Sequence, residues 1–90
     1  FEAKFEIEAD GDGKYAIELE GRSEFKFSSY RISKDILDGD SRTFIFEGEN
    51  AQTLEDGEYR ISWTAYKDNQ EIDNGYFDVA AGEILALIEP

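Results

Sequence analysis

Phe1-Glu2-Ala3-Lys4-Phe5-Glu6-Ile7-Glu8-Ala9 places an apolar residue at every odd position and a charged one at every even position. Successive side chains of a strand point to opposite faces, so this period of two specifies a strand with one buried and one wet face. Asp10-Gly11-Asp12-Gly13 then turns the chain, and residues 14–20 resume the alternation with Tyr15, Ile17 and Leu19 inward. Residues 1–20 therefore predict a β-hairpin closed by a loop at 10–13.

The same reading extends outward along the chain. A third strand begins after Gly21 with Phe25 and Phe27 on one face, but the apolar parity changes at Ser28-Ser29 and continues with Tyr30 and Ile32. An extra residue in the ladder is the simplest cause of such a shift. Residues 33–40 read as a loop or a single helical turn, and 42–47 as a fourth strand carrying Phe44 and Phe46. Leu54 anchors a polar link, residues 58–66 form a fifth strand with Tyr59, Ile61, Trp63 and Ala65 inward, and 67–74 form a polar loop. A strand at 76–79 follows, and the apolar run Ile84-Leu85-Ala86-Leu87-Ile88 ends the pattern. No segment sustains a helical period, so the expected fold is all-β: an immunoglobulin-like, two-sheet antiparallel β-sandwich of about 7 strands.

Ninety residues support one domain spanning 1–90, because a second core forms only in much longer chains. A fold of this size buries about 64% of the surface of its extended chain, enough for one modest core. No apolar run reaches the length of a membrane span, so no membrane insertion is expected. The chain has neither an initiator Met nor a basic, apolar leader, and reads as a processed chain or an excised module.

The residue types missing from the chain exclude most chemistry. There is no His, Cys or Met, which removes imidazole and thiolate metal ligands, the usual neutral-pH general base and any disulfide framework. Nine Lys and Arg against 22 Asp and Glu leave a net charge of −13, which repels nucleic acid and anionic lipid. Paired carboxylates suggest a glycosidase, yet Glu2, Glu6, Glu8, Glu18 and Glu20 occupy the wet positions of the first two strands rather than a cleft. The reading is not an enzyme.

Leu54-Glu55-Asp56-Gly57-Glu58-Tyr59-Arg60-Ile61-Ser62-Trp63, followed by Gly75-Tyr76-Phe77, is the most patterned segment of the chain. Over Leu54 to Val79 it resembles the CopC-type copper-binding domains of the bacterial periplasm, which read L-x-P-G-x-Y-x-V-x-W, then a D-G-H-P loop, then G-x-F. The resemblance implies an immunoglobulin-like sandwich in which Tyr59 makes a corner, its hydroxyl returning to backbone and its ring entering the core. It does not carry the copper site, because Asn69-Gln70-Glu71-Ile72 stands where that family has Asp-Gly-His-Pro, so that Glu71 replaces the histidine ligand.

Three residue groups remain as candidate sites. Asp10, Asp12, Asp38 and Asp40, with Asp35 nearby, place carboxylates on turns where oxygen ligands converge on calcium, although neither stretch has the complete twelve-residue calcium loop. Asp and Gly are also the best turn formers, and Asp68, Glu71 and Asp73 carry the same ambiguity. Tyr66 and Tyr76 fall on the outward parity of paired strands, where they form either a sugar platform or a cross-strand pair that stiffens the sheet. Ile84, Leu85, Leu87 and Ile88 require covering, either within the domain or by pairing with another molecule. These features point to a non-catalytic interaction or structural module of an extracellular, cell-surface or periplasmic protein. Its partner is a protein, or a further copy bound through an edge strand. The alternative is a calcium-binding adhesin or surface-filament subunit assembling by strand addition, and a designed β-sandwich with no natural function fits the same residues.

Overall fold

A computed structural model of the chain describes residues 1–21, 25–50 and 58–80. The strands are β1 (Glu2–Glu8), β2 (Gly13–Leu19), β3 (Phe25–Phe27), β4 (Arg31–Ile36), β5 (Ser41–Asn50), β6 (Glu58–Lys67) and β7 (Gln70–Ala80). They form two antiparallel sheets, one ordered β1-β5-β3 and the other β4-β2-β6-β7, with no helix among the described residues. Among the described residues the fold is the two-sheet antiparallel sandwich expected from the alternation, with seven strands.

The pairing of the first two strands differs from the expected hairpin. β1 lies beside β5, with Ala3 opposite Phe46 and Phe5 opposite Phe44, whereas β2 runs between β4 and β6 in the other sheet. Alternation specifies which face is buried but not which strand is the neighbour. The loop at 10–13, with Gly11 at φ 86°, arches across the sandwich, so Ala3 and Ala9 approach the core from one sheet and Tyr15, Ile17 and Leu19 from the other.

The parity change at Ser28-Ser29 has the same origin. Phe25 and Phe27 belong to β3 in one sheet, and Ile32 and Ile36 to β4 in the other. A corner at 28–30 switches sheets: the Ser28 N–H donates to Glu47 O at 2.9 Å, and the Leu19 N–H to Tyr30 O at 2.8 Å. No extra residue in one ladder is involved. Residues 33–36, expected in a loop, continue β4 to the buried Ile36, and the turn follows at Gly39, φ 82°.

The polar loop expected at 67–74 is instead a tight hairpin. Asp68 and Asn69 hold φ of 50° and 66°, the left-handed pair of a two-residue turn whose twist matches the flanking strands. Asp and Asn tolerate this conformation better than other non-glycine residues. The ladder slips between Ala65 and Tyr66: Ala65 faces Asp73 and Tyr66 faces Glu71, which leaves Ile72 as the extra residue of a β-bulge.

Phe44, Phe46 and Ile61 are fully buried and form the centre of the core with Tyr15, Ile17, Phe25 and Ile36. Edge-to-face aromatic contacts join the sheets: Phe5 lies 5.6 Å from Trp63 and 6.1 Å from Phe77, and Phe25 lies 5.6 Å from Tyr59. The Tyr59 ring thus enters the core, while the connection preceding it, including Leu54, falls outside the described residues. The run Ile84, Leu85, Leu87 and Ile88 also falls outside them.

Candidate functional site

The two aspartate turns, 26 or more residues apart in sequence, meet at one end of the sandwich. The Gly11 N–H donates to Asp38 Oδ1 at 2.8 Å and the Asp38 N–H to Asp12 Oδ1 at 2.7 Å, so each loop is held by a carboxylate from the other. Asp40 and Asp10 take part through their backbones: the Ala9 N–H donates to Asp40 O at 2.9 Å, and Lys67 Nζ donates to Asp10 O at 2.7 Å. The Tyr15 hydroxyl donates toward the carbonyls of Asp10 and Gly11, at 3.1 and 2.8 Å.

These oxygens face donors, and the ammonium of Lys67 brings a cation of the chain's own to the loop. Among the described residues no group of three or more acidic side chains is placed to hold a metal ion. In the second acidic group, Asp68 Oδ1 accepts the Lys14 N–H at 3.0 Å, Asp73 Oδ1 the Asn74 N–H at 2.9 Å and Glu71 Oε2 the Asn74 amide at 3.3 Å.

Tyr66 and Tyr76 share the outer face of the four-stranded sheet but do not meet. Tyr76 pairs with Ser62, four residues before Tyr66 on β6, a separation of about 13 Å along a strand. Each ring instead carries an arginine. The Arg31 guanidinium lies 4.8 Å from the Tyr66 centroid while bonding Glu18 at 2.9 Å, and that of Arg60 lies 3.7 Å from the Tyr76 centroid while bonding Asp78 at 3.2 Å. Each guanidinium thus occupies one face of its tyrosine ring.

An apolar groove lies where the sequence pattern gives little sign of one. β1 and β7 are outer strands of different sheets, and between them runs a groove of about 480 Å³ lined by Phe5, Ile7, Ile17, Trp63, Ala65 and Ile72. Its rim holds Lys4, Glu6, Glu8 and Asp73. Ile72 is 51% exposed, placed there by the bulge that frees it from the ladder. The one available signal was an isolated isoleucine in a stretch otherwise too polar for a strand. A second hollow, of about 640 Å³, lies over Gly48, but its apolar floor is closed by the Phe1 and Phe27 rings packed edge to face at 5.7 Å.

Comparison with protein-family models, with curated proteins and with solved structures found no match.

Proposed function

We propose that the chain is a non-catalytic interaction or structural module of an extracellular or cell-envelope protein, joined to a protein partner, or to another copy of itself, through a strand edge. The observation that carries this reading is β7. It spans eleven residues, is the outer strand of its sheet among the described residues, and borders the apolar groove. An outer strand presents a row of backbone donors and acceptors, and natural sandwiches blunt such edges unless they are used. β7 carries no Lys and no Pro, and its bulge at Ile72 interrupts only the end next to the turn at 68–69, while residues 73–80 pair with β6 in unbroken register.

The acidic surface supports a protein partner over nucleic acid, and suits solubility outside the cell. The filament reading, in which copies add strands in succession, draws on the same edge.

Amide hydrogen exchange on the dilute, full-length chain tests the reading. Alternate amides of residues 70–80, those pointing away from β6, are expected to exchange fast. Uniform protection along β7 in the monomer would overturn it, because the edge would then be covered within the chain.

A further inference from the structure

The groove between β1 and β7 carries enough chemistry to specify what fills it, an inference that rests on the strand-edge reading above. We infer that its occupant is an extended, cationic segment of a partner protein, with apolar side chains on one face and Lys or Arg on the other. Two properties of the groove select this chemistry. Its floor is apolar over β1, β2, β6 and β7, from Phe5 and Ile7 across Ile17, Trp63 and Ala65 to Ile72. Every second side chain of an added strand would meet that floor.

The second property is charge. The rim sets Glu6, Glu8 and Asp73 against Lys4, a local excess of acid on a chain whose net charge is already −13. The alternate side chains of an incoming strand lie at this rim, so basic residues there meet opposite charge, whereas acidic ones are repelled. The chain's own apolar run fits the floor but not the rim: Glu83 and Glu89 flank residues 84–88, and there is no Lys or Arg after Lys67. A second copy brings the same acidic surface and is disfavoured for the same reason.

The bulge adds a steric argument. Ile72 interrupts the β6–β7 ladder at the groove and turns an apolar side chain to its mouth. Bulges gather at sheet edges where a side chain is re-aimed. An exposed isoleucine beside Asp73 is an anchor for an apolar contact next to a charge contact.

Trp63, the single tryptophan, lines the groove and reports on occupancy by fluorescence. The full-length chain is titrated with a blocked nine-residue peptide alternating Val and Lys, and with the same peptide carrying Glu in place of Lys. The expected result is saturable 1:1 binding of the lysine peptide at least tenfold tighter than the glutamate peptide, with the difference shrinking in salt. Ile72→Asp and Asp73→Lys, both at exposed positions, are each expected to weaken the lysine peptide at least tenfold. Equal binding of the two peptides, or no effect of either substitution, would overturn the inference. Absent binding with fast-exchanging β7 amides would overturn the groove's occupant and leave the strand-edge reading standing. Absent binding with protected β7 amides would bring down both, and if Ile84→Asp and Ile88→Asp together restored exchange and peptide binding, the occupant would be the chain's own run.

Discussion

The indole of Trp63 lies on Gly75, its cross-strand partner, so closely that a methyl group at Gly75 would stand 2.7 Å from Cζ2 and 2.9 Å from Cε2. The glycine leaves a gap in the inner face of β7, and the ring fills it. The same ring packs on Phe5 at 5.6 Å, so it cannot retreat without opening the contact between the sheets. Gly75→Ala is therefore expected to destabilise the fold by about 1–3 kcal/mol, the usual range for overpacking, despite the better strand propensity of alanine. Chemical denaturation followed by Trp63 fluorescence checks this, and a neutral or stabilising result would show that the indole has room to move.

The reciprocal lock between the aspartate turns gives a second expectation. Asp38→Ala and Asp12→Ala each remove a carboxylate that accepts a backbone N–H across the two loops, and each is expected to cost about 1–2 kcal/mol. The double variant should cost less than the sum, because either change alone loosens both loops. Melting in EDTA and in millimolar calcium should coincide. A calcium site with added ion at 100 times Kd would raise stability by about 2.7 kcal/mol, so a calcium-dependent rise would move these carboxylates from a structural to a ligand role.

At the β6–β7 turn, Asn69 holds φ 66°, a conformation that costs glycine nothing. Asn69→Gly is expected to be stabilising or neutral, within about 0.5 kcal/mol, because the relief of strain opposes the greater backbone entropy of glycine in the unfolded chain. Asn69→Val should destabilise by about 1–2 kcal/mol, the cost of a β-branched residue in the left-handed region. Thermal melts of the two variants check the contrast, and equal stabilities would refute the turn assignment.

What was legible in the sequence was decided by range. Inward residues such as Tyr15, Ile17, Phe44, Phe46 and Ile61 were read correctly because alternation is local, and all are buried. Strand partners were not: the segment 1–9 would show the same pattern beside β2 or beside β5, and only the packing of two sheets selects β5. The sheet switch at Ser28–Tyr30 and a bulge produce the same parity change in one dimension. The groove was invisible for a related reason, since Ile7, Trp63 and Ile72 come from three strands and share a wall only once β1 and β7 border each other. The aspartates were picked out by residue type, and their partners, backbone N–H groups of the opposite loop, carry no sequence signature.

The charge balance yields the last expectation. Glu2 stands directly opposite Glu47 across the β1–β5 ladder, both exposed, and like charges in that position are destabilising. At about 5 Å in water such a pair repels by about 0.8 kcal/mol, and Lys4, 3.7 Å from Glu2, offsets part of it. Beyond this pair, a net −13 spread over a small surface opposes the compact state as a whole. Raising NaCl from about 0.01 to 0.15 M shortens the screening length from about 30 to 8 Å, which weakens that distributed repulsion strongly. The same salt weakens exposed ion pairs such as Arg31–Glu18 and Arg60–Asp78, but pairs of this kind contribute only about 0–1 kcal/mol each. Repulsion is the larger effect, so the melting temperature is expected to rise with salt, by about 4–8 °C for each kcal/mol relieved. Glu47→Lys should raise stability at low salt and flatten the dependence, because it turns the repulsive cross-strand pair into an attractive one. A melting temperature that falls with NaCl in the parent chain would mean that local pairing already outweighs the net charge.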